Sequence, residues 1–141
     1  MRLLLIDGEG RVLLHHYLTV DTGEEFWCTP GGALVPGETD AEAARRELFE
    51  EEGVTQPVHL GTPIWSRTHV FRIGDGRVFE QRERYYAVRI ASFDPVPGAL
   101  SDFEHASLLE QRWLSLEELR SSRIPLNPPE LGELAARAQS C

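Results

Sequence analysis

Residues 32–54 read GALVPGETDAEAARRELFEEEGV, and three glutamates near the end of the stretch, Glu47, Glu50 and Glu51, carry most of its meaning. On an α-helix, positions i, i+3 and i+4 share a face, so the three carboxylates converge. Like charges held together repel, and a chain with nothing to bind there would gain stability by losing one. A hard divalent cation with oxygen ligands removes the conflict; Mg2+ typically sits on a few carboxylates, waters and substrate phosphates. A solvated acidic helix face is the ordinary explanation of a charge run. Both readings fit the triplet alone.

The flanking residues favour the metal. Thr39 followed by Glu42 is a capping-box pattern, and Gly53 stands where helices end on a left-handed residue. Between them Ala41, Ala44 and Leu48 form an apolar stripe at helical spacing, adjacent to the acidic face. Ala43 falls within that face and leaves room for an ion and its ligand. Arg46 lies four residues from both Glu42 and Glu50 and is placed to clamp the two, whereas simple surface pairs would contribute only ~0.2–0.5 kcal/mol each. Ahead of the helix, Pro30-Gly31-Gly32 and Pro36-Gly37-Glu38 allow sharp bends and close backbone approach to a ligand.

The spacing from Gly32 through Glu38 to Arg46-Glu47-Leu48, Glu50-Glu51 and Gly53-Val54 resembles the complete Nudix box, with every specified position met. A weaker likeness runs along most of the chain, through the order of its strands and the stretch Arg112-Trp113-Leu114-Ser115. The resemblance implies an α/β (α+β) fold: an α/β/α sandwich with a mixed sheet and the box as loop-helix-loop. It also implies a Mg2+-dependent pyrophosphohydrolase, with Mn2+ as substitute, cleaving a diphosphate linkage in a nucleoside di- or triphosphate or derivative. Glu47, Glu50, Glu51 and the Gly32 carbonyl would then hold metal, and Arg46 would orient the glutamates. Family members use the residue matching Glu38 mainly for loop and helix structure.

At 141 residues the chain is expected to be one domain, 1–141, long enough to bury roughly 68–70% of its unfolded surface. A net charge of −9 argues against a nucleic-acid polymer as main partner, since tracking a backbone needs a basic face. It suits a small nucleotide approached through metal ions. All 14 basic residues are arginines, which excludes a lysine nucleophile and leaves phosphate recognition to guanidinium groups. Cys28 and Cys141 are too few for a disulfide framework, so a reducing, cytoplasmic setting is expected. Leu3–Ile6 is too short to span a membrane. A homodimer is left open.

Residues 2–6 and 11–18 read as strands about a hairpin turn at 7–10, and Glu25–Thr29 as a short strand. Residues 57–73 offer extended segments, Gly74-Asp75-Gly76 a second hairpin, and 77–91 a long strand. Residues 92–110 read as a long mobile loop. Ser115 with Glu118 caps a short helix, and Asn127-Pro128-Pro129 precedes a closing helix over 130–139.

A general base must reach the attacking water directly or through one more water. Glu104, in the loop before Trp113, is the first candidate, Glu83 the second and Glu110 the third. Arg67, Trp27 and Glu83 are the candidate substrate contacts; Trp65, Phe71, Tyr85, Trp113, Arg72, Arg82 and Arg84 fit core or exposed strand faces better. His15 and His16 point to opposite strand faces, and neither has metal-ligand company in sequence. Residues fifteen to seventeen past Val54 read His69-Val70-Phe71. The downstream proline and tyrosine that mark the ADP-ribose and dinucleoside polyphosphate subfamilies are therefore missing. The resemblance leaves two other readings: a non-catalytic nucleotide-binding or regulatory module, which would predict a degraded box, and an isoprenoid diphosphate isomerase of the same fold, which commonly has a cysteine ahead of the box, as Cys28 is here.

Overall fold

The apolar alternation of the first eighteen residues sends neighbouring side chains to opposite sides of a sheet, and both sides are covered. In the computed structural model, which describes residues 1–72 and 75–140, β1 (Arg2–Ile6) and β2 (Val12–Leu18) flank the expected turn. Asp7 Oδ1 closes that turn by accepting the Glu9 and Arg11 N–H groups at 2.9 and 2.8 Å. Gly74 of the second expected hairpin, the side chain of Phe71 and Cys141 lie outside the described residues.

The remaining strands are β3 (Glu25–Cys28), β4 (Trp65–Arg72), β5 (Val78–Arg89), β6 (Leu108–Leu114) and β7 (Leu126–Asn127). They form one seven-stranded mixed sheet in the order β4-β5-β1-β2-β3-β7, with β6 added on β2. β1 runs parallel to β5 and β3 to β7; the other pairings are antiparallel. Because β6 follows β2 from Val12 to Tyr17, β1 and β3 share its other edge, β1 at Val12 and β3 from His15 onward. Four helices are described: α1 (Asp40–Glu47), α2 (Asp102–Ser107), α3 (Leu116–Arg120) and α4 (Leu131–Gln139).

Two apolar cores follow from strand parity. On one side Leu4, Ile6, Val12 and Leu14 pack on Leu119 of α3 and Leu131 and Leu134 of α4. On the other Leu3, Leu5 and Leu13 pack on Ala43 and Ala44 of α1 and on Leu48. This is the helix–sheet–helix layering expected of the fold.

Thr39 and Glu42 form the expected capping box at the start of α1. The stripe is displaced from the sequence reading: Ala43, not Ala41, is buried beside Ala44 and Leu48, and Ala41 faces solvent. The acidic face is turned inward, with Glu47 and Glu51 only 8% and 3% exposed. Beyond Glu47 the helix widens into a π-helical turn, Leu48–Glu52, ending at Gly53 with φ +73°. A side chain there would also meet the Val96 carbonyl oxygen at 2.1 Å.

Residues 92–110 do not form the expected free loop. Val96 N–H donates to Glu52 O, Gly98 N–H to Phe49 O and Ala99 N–H to Glu50 O, at 3.1–3.2 Å. Gln111 Nε2 donates to Glu51 O. The last carbonyls of a helix have no partner within it, and here all four from Phe49 to Glu52 are satisfied by this segment and β6. Ser101 then caps α2 with Glu104 as its reciprocal partner.

Candidate active site

Glu51 of the wide turn stands at the rim of a cavity, and one arginine organises its neighbours Glu47 and Glu50. Arg46 grips Glu38 through two parallel bonds of 2.9 Å, Nε to Oε2 and Nη2 to Oε1. Its Nη1 donates to Glu47 Oε1 at 2.9 Å and Glu50 Oε2 at 3.3 Å, and Nη2 also reaches the Ala33 carbonyl at 3.1 Å. Arg46 therefore pairs with Glu38, Glu47 and Glu50 rather than with Glu42, whose carboxylate turns back to Thr39. A fork of this kind fixes carboxylate planes as well as charge. The hydrogen bonds from Arg46 hold the Glu38 carboxyl down at about 2.

Glu51 is placed by the glycine loop: Gly31 N–H donates to its Oε1 at 3.1 Å. Glu47 lies so close to Gly32 that a Cβ there would sit 2.6 Å from Glu47 Oε1. Gly32 N–H donates to Met1 O at 3.1 Å, and the Gly32 carbonyl accepts the Met1 nitrogen at 2.9 Å. One lone pair of that carbonyl stays available to a cation. Burial raises the Glu47 carboxyl above its ordinary range. Burial and the neighbouring Glu52 and Glu47 carboxylates raise Glu51 further. Desolvated like charges beside a glycine cradle fit a hard divalent cation, which would restore both glutamates to the ionised form.

Glu51 also lines a cavity of about 820 Å³ together with Glu104, Tyr17, Phe26, Arg67, Glu83 and Asn127, among others. Tyr17 and Phe26 stack with ring centroids 5.8 Å apart and planes at 18°, giving the cavity one aromatic wall. At its floor Arg67 Nε donates to Glu83 Oε1 at 2.5 Å and Arg67 Nη2 to Asn127 Oδ1 at 2.9 Å. Arg2 Nε donates to Glu83 Oε2 at 3.0 Å.

The sequence-predicted residues distribute as follows. Glu47, Glu50, Glu51, Gly32 and Arg46 come together, and Glu104 and Arg67 share the cavity with Glu51. Glu83 is in the cavity wall, but its carboxylate is held between Arg2 and Arg67 and its carboxyl is lowered by them, which suits an anchor better than a base. Trp27 is packed in the core with α3 and α4, at 4% exposure. Its strand neighbours Phe26 and Cys28, of opposite parity, reach the cavity instead. Arg84 pairs with Asp40 on the α1 side through two 2.6 Å bonds. Burial pushes the Cys28 thiol up to about 12, so it offers no thiolate to an isomerase mechanism.

Sequence reading missed His15, Glu52 and Gln111. His15 Nε2 lies 2.5 Å from Glu52 Oε1, and Gln111 Nε2 donates to the same oxygen at 2.5 Å. His15 has no metal-ligand company nearby in sequence, but across space it groups with Glu51 and Glu52 at metal-ligand distances. Parity supplied a usable signal, since Leu13 packs on α1 and His15, two residues on, points to the same side.

Comparison with known proteins agrees with this architecture. The NUDIX domain profile matches residues 1–137, and the chain belongs to the Nudix family. An RNA pyrophosphohydrolase of Rhizobium meliloti (strain 1021) is 29% identical over 150 residues, covering 94% of this chain and 87% of the relative. Another, from Rhodopseudomonas palustris (strain BisA53), is 32% identical over 141 residues, covering 90% and 78%. A NUDIX-family hydrolase from Clostridium perfringens aligns with a TM-score of 0.67 at 18% identity, over 99% of this chain and 93% of that one; this likeness concerns the fold. The chain is a Nudix-type hydrolase. Among the described residues no helix is long and apolar enough to cross a membrane.

Proposed function

We propose that the chain is a divalent-metal-dependent pyrophosphohydrolase that cleaves a diphosphate linkage in a nucleoside di- or triphosphate or a derivative, in the cytoplasm. The observation that carries this reading is the pair of buried glutamates, Glu47 and Glu51, set between a glycine cradle and a cavity with an aromatic wall and an arginine floor. Glu47, Glu50, Glu51 and the Gly32 carbonyl would hold Mg2+ or Mn2+. Bound there, the metal supplies charge neutralisation at the phosphoryl oxygens and a more acidic water. Hydrolysis of a diphosphate asks little covalent work of the protein, so positioning and electrostatics dominate. Arg46 keeps two glutamates aimed at one point. Glu104 shares the cavity with Glu51 and takes a proton from the attacking water, while the stacked Tyr17–Phe26 pair offers a face to a nucleobase.

The names of the curated relatives support including a triphosphorylated RNA end among the substrates, whereas the net charge of −9 favours a small nucleotide over a tracked polymer. The deciding experiment incubates purified protein with Mg2+ or Mn2+ and a panel of nucleoside triphosphates, nucleotide sugars, dinucleoside polyphosphates, oxidised nucleotides and a 5′-triphosphorylated RNA oligomer. Turnover of one class identifies the substrate. No turnover with either metal overturns the hydrolase reading in favour of a binding module.

A further inference from the structure

Behind the glutamate turn lies a buried polar group that the oxygen-ligand picture leaves unused. His15 on β2 is 0% exposed, and its cross-strand partner on β6 is Gln111. Glu52 Oε1 accepts from Gln111 Nε2 and lies 2.5 Å from His15 Nε2. A carboxylate only accepts, so the ring proton belongs on Nε2, and Nδ1 is left with a lone pair. That Nδ1 is buried without any hydrogen-bond partner, 3.8 Å from Glu51 Oε2. The separation is too long for a hydrogen bond, and a buried polar atom without a partner is costly. It suits a cation sharing the two atoms at roughly 2.0–2.2 Å from each.

We propose that His15 Nδ1 and Glu51 Oε2 together ligate a divalent transition-metal ion, with Glu52 as the carboxylate that holds the imidazole in its ligating tautomer. The proposal rests on the pyrophosphohydrolase reading, because Glu51 serves both. Metal-binding histidines characteristically donate their second ring nitrogen to a carboxylate, which fixes the ring and increases its basicity. The Glu52–His15 bond has that form, and Gln111 steadies Glu52 from the other side. Glu51 lines the cavity, which gives the ion its route in and leaves open coordination positions toward a substrate phosphate. An imidazole ligand shifts preference from Mg2+ toward Mn2+, Co2+ or Zn2+. The competing arrangement is an imidazolium strut joining Glu51 and Glu52 with no metal on nitrogen.

The test uses Mn2+ bound to the full chain and pulsed electron paramagnetic resonance. Modulation from a directly bound nitrogen is expected, and it should change to the 15N pattern when the protein is grown with 15N-histidine. Among the described residues His15 alone combines with acidic side chains in a metal-sized cluster, so His15→Gln should abolish the signal. The same variant should weaken Co2+ binding at least ~10-fold with little effect on Mg2+, and Glu52→Gln should weaken Co2+ binding ~10–100-fold. The labelling result stands even if His15→Gln fails to fold. Mn2+ bound without nitrogen modulation overturns this inference and leaves the hydrolase reading intact. No Mn2+ binding at all overturns both.

Discussion

Arg46 makes five contacts from one guanidinium, and its planar fork cannot be copied by an ammonium. Arg46→Lys should therefore weaken Mn2+ binding ~10–100-fold, as expected when an orienting partner of metal ligands is lost; calorimetric titration measures it. Glu51→Gln keeps shape and removes charge, and kcat should fall at least ~100-fold, in line with loss of a major electrostatic contributor. Near-native turnover would remove Glu51 from the metal set. The two base candidates separate in the same assay. Glu104→Gln should lower kcat and spare metal affinity, whereas Glu83→Gln frees Arg2 and Arg67 and should act mainly on KM. If only Glu83→Gln lowers kcat, their roles are exchanged. At this scale the box residues were legible because their spacing is periodic. His15 and Gln111 were not, because their partners stand 37 and 60 positions away in the chain.

The element that matters most is the wide turn Leu48–Glu52 with the segment that closes it. Three backbone amides, from Val96, Gly98 and Ala99, bind its carbonyls. These amides should exchange with deuterium more slowly than those of Ser92, Phe93 and Asp94, and equal exchange rates would show that the closure does not persist in solution. Gly53→Ala adds a methyl group at φ +73° against the Val96 carbonyl, so it should lower Tm by displacing this segment and by straining the left-handed residue. The helix starts at Thr39 and Ser115 are legible as capping boxes, and Ser101 holds a third within the stretch that reads as a loop. The π-helical widening was not legible, since no local propensity marks it; tertiary hydrogen bonds to its carbonyls accompany it. Trp27 likewise reads as a cavity residue by composition, and only the parity of β3 against the two cores assigns it inward.

For the whole molecule, acid and metal act on opposite sets of carboxyls. Glu38 and Asp40, paired with Arg46 and with Arg84, are both held at about 2. A depressed carboxyl contributes stability that is present above its unfolded value and lost as pH falls through the folded one. The urea midpoint should thus decline between about pH 4.5 and pH 2, and Glu38→Gln should flatten part of that decline. Glu47 and Glu51 have raised values, so in the metal-free protein their burial opposes folding as pH rises. Saturation with Mn2+ at 100 times Kd should add about 2.7 kcal/mol, a Tm increase of roughly 5–12 °C for a domain of this size. An unchanged Tm at pH 7.5 would count against occupancy of the site. The layered architecture could be anticipated from strands on both sides of one capped helix, but strand order could not, because β1 and β3 sharing one edge of β2 leaves no local trace. The amide closure of the glutamate turn also carries a consequence for how this chain tolerates change in length. Only Leu100 and Ser101 lie between the anchored Ala99 and the start of α2 at Asp102, so an insertion there would carry Glu104 away from the glutamates. Residues 55–57 and 61–63 are exposed, whereas Val58 and Leu60 between them pack on the core under α1; insertions should be tolerated at the exposed positions, and a library of single-residue insertions read out by turnover would trace that boundary.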